Sequence, residues 1–177
     1  MTPTVTLEFF LESLPAYSKD LKLNLGAVLK QTELTPLQLW GTAVASAAAS
    51  RNRGLLEVIT AEAAKVLPSP MIDAAMSASA IMGMNNVYFR FLHLANHEKY
   101  STIPARLRMN ATRTHGAPLV DFELWCVAVS AINGCGKCIE AHDQLAREKG
   151  LSEEAVLAAV RIASVIHAVA VVLDSFH

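Results

Sequence analysis

Apolar residues recur at intervals of three and four through most of the chain. Leu7, Phe10, Leu11 and Leu14 share one helical face, and Leu21, Leu25, Val28 and Leu29 share another. At about 100° per residue this predicts helices over 7–14 and 16–31, parted by Pro15. Thr35-Pro36 opens the next helix, because proline is tolerated in a first turn. That helix runs to about Ser50, where Arg51-Asn-Arg-Gly54 breaks it. A further helix covers 55–66 and ends before Pro68. Ser69-Pro70 then opens a long helix over 71–95. Residues 98–117 are the least regular, punctuated by Pro104 and Gly116, and read as a linker with one helical turn. Arg106, Arg108 and Arg113 give this linker a solvated basic face.

Beyond it, Asp121 to Asn133 is an apolar helix, and Asn133-Gly134 stops it, since both residue types tolerate positive φ. A helix from Cys135 to about Lys149 follows, capped by Gly150. Ser152-Glu-Glu opens the last, which carries Ile162, Val165, Ile166, Val169 and Val172 and is apolar on most faces. No run alternates as a half-buried strand does, so the predicted class is all-α.

The pattern also repeats. Leu37-Gln-Leu-Trp-Gly-Thr-Ala-Val aligns with Phe122-Glu-Leu-Trp-Cys-Val-Ala-Val, pairing Leu39 with Leu124, Trp40 with Trp125, Ala43 with Ala128 and Val44 with Val129. This predicts two pseudo-repeated halves, about 34–95 and 119–173, within one helical domain spanning 1–177. Where the second half has Glu123, Cys135, Cys138 and His142, the first has Gln38, Ser50, Arg53 and Glu57. Only the second half is expected to carry chemistry.

Composition narrows the functions. Of 177 residues, 53% are hydrophobic, ample for one core and consistent with further burial between subunits. The formal net charge of −1 predicts no nucleic-acid or anionic-membrane partner. The N-terminus lacks the basic and apolar regions of a signal peptide, and the uncharged stretches 34–50 and 74–89 are too short and polar to cross a bilayer. A soluble cytoplasmic protein is expected. Three clustered cysteines are too few for a secreted disulfide framework; in a reducing compartment a Cys-x-x-Cys pair points to redox chemistry or metal.

Cys135 and Cys138 fall at the start of a helix, where unpaired N–H groups and the helix dipole favour thiolate. His142 follows Cys138 by one turn, on the same face. A free thiol has a pKa near ~8.5, so a depression of about two units, about 2.7 kcal/mol, makes thiolate the main form. A protonated His142 helps. Glu123 beside a thiolate would not, because like charges raise the thiol pKa; its fitting role is to hold and polarise His142. That contact requires the chain to fold back at Asn133-Gly134, for on one straight helix Glu123 lies about three turns from Cys135.

Cys138, on the face of His142 and expected to lie deeper, is the expected attacking thiol if the pair reduces peroxide. Cys135, at the helix edge, is expected to be the resolving thiol that an external reductant reaches. A zinc site built from Cys135, Cys138, His142 and Glu123, or an inert packed pair, stays open on these residues alone. Cys126, His167 and the Met82/Met84 pair read as core, and His93/His97 as a helix end.

At these residues the chain closely resembles the alkyl hydroperoxide reductase AhpD family, within the wider carboxymuconolactone decarboxylase-like group. The likeness covers nearly the whole chain, including Gln38-Leu-Trp-Gly41, Ile81-Met-Gly-Met-Asn-Asn-Val87 and Leu107-Arg-Met-Asn110. It is most specific in Phe122-Glu-Leu-Trp125 and Ser130-Ala-Ile-Asn-Gly-Cys-Gly-Lys-Cys-Ile-Glu-Ala-His142.

The resemblance implies an all-helical homotrimer that reduces organic hydroperoxides with no bound cofactor or metal. It implies dihydrolipoamide on a lipoyl-carrying acyltransferase as electron donor, regenerated by dihydrolipoamide dehydrogenase, and electron transfer to the peroxiredoxin AhpC. Cys138 would form the sulfenic acid, with Cys135 its partner and proton donor and Glu123 and His142 the proton relay. Lys137 stands where some members have histidine; a cation there favours the thiolate. Three rivals remain: a dithiol–disulfide oxidoreductase that mainly serves AhpC, a zinc-stabilised interaction module, and a cofactor-free decarboxylase.

Overall fold

The computed structural model describes residues 6–175. Among them every regular element is helical: α1 (Leu7–Glu12), α2 (Lys19–Val28), α3 (Pro36–Ser50), α4 (Arg53–Ala63), α5 (Ser69–Ala95), α6 (Glu98–Thr102), α7 (Ala111–Thr114), α8 (Leu119–Asn133), α9 (Gly136–Glu148) and α10 (Glu153–Ser175). The all-α prediction holds.

Local chemistry explains most of the boundaries. Thr35 and Gln38 form a reciprocal capping box at the start of α3, with Pro36 in the first turn. Asn52 accepts from the Leu55 N–H, so α4 begins two residues earlier than its apolar pattern suggests. Gly134 and Gly150 take left-handed φ of 67° and 98° at the ends of α8 and α9.

Two expectations need correction. The first two helices are shorter than their periodicity, because Pro15 caps a 3-10 turn, Ala16–Ser18, that precedes α2. The linker carries two short helices, α6 and α7, rather than one turn; side chains at their ends, such as Ser101 and Thr112, bond back to carbonyls three residues earlier.

α8 is the axis of the fold. It packs against α3, α5, α9 and α10, and every residue from Asp121 to Ser130 is buried. α10 is long and apolar enough to cross a membrane, with a mean hydropathy of 2.3, and half of that window is buried, against α2, α3 and α8. The successions α3–α4–α5 and α8–α9–α10 follow the same order of long, shorter and long helix.

α3 packs tightly on α8 at Gly41. A Cβ there would lie 2.2 Å from Trp125 Cζ2 and 2.5 Å from its Nε1. The indole is fully buried and has no room to yield. Gly41→Ala is therefore expected to destabilise the fold by about 3 kcal/mol, the upper end for overpacking, as measured by denaturant unfolding.

Candidate active site

The site forms where α8 turns back into α9. Gly134 in the left-handed region closes α8, and the Cys135 N–H bonds to Ser130 O at 3.1 Å, the 6→1 bond of a Schellman turn. Cys135 then caps α9, its Sγ accepting the Cys138 N–H at 3.3 Å. The two cysteines form a disulfide, with Cα atoms 5.3 Å apart. The fold-back required by the sequence reading is present. It brings His142 Nδ1 to 2.5 Å from Glu123 Oε2, across 19 residues of chain. Glu123 is only 5% exposed. An ionised carboxylate can only accept, so Nδ1 carries the hydrogen and His142 Nε2 is left for other partners.

All four predicted site residues thus gather at one turn. Their depths are the reverse of the expectation: Cys135 is 0% exposed and Cys138 is 5% exposed. The reason is the Schellman bond, which ties residue 135 to the buried end of α8, whereas Cys138 lies one turn further along α9. Lys137 also differs. Its ammonium pairs with Glu140 at 2.9 Å on the surface and holds that carboxyl below its usual range, so its field on the thiols is offset.

Cys126 is a free, fully buried thiol, pushed well above its usual pKa by burial and by the Glu123 carboxylate; it is a core residue, as read. Met82 is buried and Met84 packs on the core. His93 and His97 are exposed at the end of α5, and His97 lies against Tyr100. His167 is not packed in the core but exposed on α10, its Nδ1 3.4 Å from Ser50 Oγ. Among the described residues no group of three or more His, Cys, Asp or Glu is arranged to hold a metal ion.

The first-half counterparts are structural. Gln38 caps α3 and donates to Asp121 at 2.8 Å, Ser50 donates to Ser46 O, and Arg53 pairs with Glu57 on the surface.

Two features of the site went unread in the sequence. One is a polar ladder on α5. Asn86 donates to Ser130 Oγ and accepts from Asn133 Nδ2, each at 2.9 Å, and Arg90 donates to Asn133 O. Asn86 and Arg90 are one turn apart, and together they pin the α8 end from which Cys135 hangs. The available signal was an amide in the middle of a buried helix, where an unpaired polar group is costly.

The other is His115, in the irregular linker. Its ring stacks on Phe122 with centroids 3.7 Å apart, and its Nδ1 accepts the Ala117 N–H. Burial lowers its pKa below 6.5, opposed by attraction to Glu123. The folded state therefore binds this proton less tightly than the unfolded chain does. The associated stability is present above about pH 6.5 and is lost as pH falls through the folded pKa. The melting temperature of the parent is expected to drop more steeply between about pH 7 and 5 than that of His115→Phe, which keeps the stack without the titration.

Comparison with known proteins agrees with this geometry. Residues 99–177 match the carboxymuconolactone decarboxylase family. The alkyl hydroperoxide reductase AhpD of Solibacter usitatus is 58% identical over 168 residues, 95% of either chain. That of Acidobacterium capsulatum is 56% identical over 96% of this chain and 93% of its own. That of Koribacter versatilis is 55% identical over 97% and 89%. With identity of this order along nearly its whole length, and with the paired thiols and the carboxylate–imidazole pair at one turn, the chain belongs to the alkyl hydroperoxide reductase AhpD family.

Proposed function

We propose that the chain is an antioxidant thiol peroxidase that reduces organic hydroperoxides through the Cys135–Cys138 pair, with dihydrolipoyl groups as electron donor. The observation that carries this reading is the Cys135–Cys138 disulfide at the turn where His142 Nδ1 meets Glu123 at 2.5 Å. In the reduced enzyme the Cys138 thiolate attacks the terminal peroxide oxygen. The O–O bond breaks, the alcohol leaves with a proton supplied through His142, and Cys138 becomes sulfenic acid. Cys135 gives up its proton and attacks Cys138 Sγ, the disulfide forms and water departs. A donor thiolate then opens the disulfide through a mixed disulfide, and its second thiol completes the two-electron reduction.

Burial supports a slim donor. Cys138 has the little surface the pair retains, so peroxide and donor both approach it rather than Cys135. A dithiol on a flexible arm, such as the lipoyl group of an acyltransferase recycled by dihydrolipoamide dehydrogenase, meets that restriction better than a thiol fixed on a globular surface. Passing electrons to the peroxiredoxin AhpC is a second outlet for the same dithiol, in the cytoplasm where such donors stay reduced. α5 leaves Val87, Phe91 and Leu94 more than half exposed, and Val87 and Phe91 line an apolar groove with Leu107. A face of that kind suits the contact between subunits of a homotrimer.

The test is consumption of cumene hydroperoxide by metal-free protein supplied with lipoamide, lipoamide dehydrogenase and NADH. Sustained NADH oxidation that depends on both the protein and lipoamide is the expected result. Absence of turnover, with zinc bound stoichiometrically in untreated protein, would replace the peroxidase with a zinc-stabilised module.

A further inference from the structure

A second polar recess lies at the far end of the same turn. The ends of α3 and α8 meet α5 and α10 around a cleft of about 430 Å³, a volume suited to a small organic ligand. Arg51, Asn86, Arg90, Asn133, His167 and Asp174 line it. Two guanidinium groups share this one recess. Its lining carboxylate, Asp174, is already engaged by Asn52 Nδ2 at 2.7 Å. Among the described residues neither Arg51 nor Arg90 forms a salt bridge. Arg51 stands at the end of α3 with a left-handed φ of 65°, a conformation that side chains other than Gly, Asn and Asp seldom adopt. Arg90 uses Nη1 on Asn133 O, and among the described residues its other donors meet no partner.

Two arginines against the single carboxylate of Asp174 leave the lining net positive with unfilled donors, which suits an anion, and the planar fork of arginine is matched best by a carboxylate. The place of the cleft gives that anion a purpose. Asn133 is two residues before Cys135, so their Cα atoms lie within about 7.6 Å. Asn133 thus lines the cleft and also begins the turn, so a molecule held here by its acid group lies beside that turn and its chain has to extend along it to reach Cys138. Val87, Ile132 and Ala49 supply an apolar side to the same recess.

We propose that this cleft is a carboxylate subsite that binds the acid group of fatty-acyl hydroperoxides, so that acid substrates are favoured over neutral ones of the same length. The proposal rests on the peroxidase reading and names its substrate class.

The experiment compares linoleic acid hydroperoxide with its methyl ester, in the lipoamide-coupled assay, for the parent, Arg51→Gln and Arg51→Lys. Arg51 is chosen because Arg90 also holds the turn. The parent is expected to show kcat/KM about tenfold higher for the acid than for the ester, as a charged hydrogen-bonded pair supplies. Arg51→Gln is expected to bring that ratio near one through the KM of the acid, and Arg51→Lys to restore part of it. Equal use of acid and ester by the parent, or a ratio unmoved in Arg51→Gln, overturns the subsite while leaving the peroxidase intact. Failure of the parent to turn over either compound would instead overturn the peroxidase reading.

Discussion

Cys138→Ser is expected to consume no hydroperoxide, and Cys135→Ser to consume one equivalent and stop. A serine hydroxyl is not ionised at neutral pH and has no accessible sulfenic state, so removing the attacking sulfur removes the first step outright. Removing Cys135 leaves that step in place. With no resolving thiol, Cys138 is expected to accumulate as sulfenic acid, detected by mass spectrometry after trapping with a dimedone-type reagent. The buried position of Cys135, with its Sγ facing the Cys138 N–H, keeps it near Cys138 and away from solvent. A trapped sulfenic acid in Cys138→Ser, and none in Cys135→Ser, would exchange the two roles. Loss of the reaction in both variants with no trapped species would point to a dithiol exchanger without a peroxidatic step.

Glu123→Gln is the second large effect. The carboxylate is 5% exposed, and its bond to His142 Nδ1 is 2.5 Å. Glutamine keeps the length of the side chain and still offers an oxygen to Nδ1–H, so the imidazole stays oriented. In the proposed mechanism, what disappears is the negative charge that steadies the imidazolium as protons pass to the leaving alcohol and from Cys135. General acid–base catalysis typically contributes 10²–10⁴-fold, and kcat is expected to fall by about that range.

Stability separates this from damage to the fold. Glutamine still accepts from Nδ1–H, and a partly exposed imidazole can shed its proton rather than stay an unpaired ion, so denaturant unfolding is expected to change by less than the ~3–5 kcal/mol of a stranded buried charge. A loss of less than about tenfold would place Glu123 outside the proton path and leave it only to orient His142. A large loss of stability would assign it to the core.

The same residues show what was legible beforehand. Asn133-Gly134 identifies the break because glycine adopts positive φ without penalty, and that break is what makes a Glu123–His142 contact possible. Thr35, Pro36 and Gln38 announce the start of α3 for an equally local reason. His115 gave no such signal. It belongs to an irregular stretch, and its importance comes from stacking on Phe122, which no periodicity encodes. Asn86 and Arg90 lie on a helix that reads correctly from sequence, yet their partners Ser130 and Asn133 are more than 40 residues away. The order of depth of the two thiols misled for a related reason. Helix-face geometry places Cys138 inward, but one backbone bond from Cys135 to Ser130 decides which residue is drawn under α8.

The sequence by itself determined the long helices, the cap of α3 at Thr35, the break at residue 134 and the placing of Cys135, Cys138 and His142 on one side of α9. Those properties depend on φ preferences and on spacing within about ten residues, which the local chain contains. Tertiary structure alone decided that Glu123 meets His142, that α5 pins the end of α8, and that Arg51 and Arg90 face one cleft. Each of these is a contact between helices, fixed by how buried faces pack around α8, as Gly41 does against Trp125, and local propensity does not encode it.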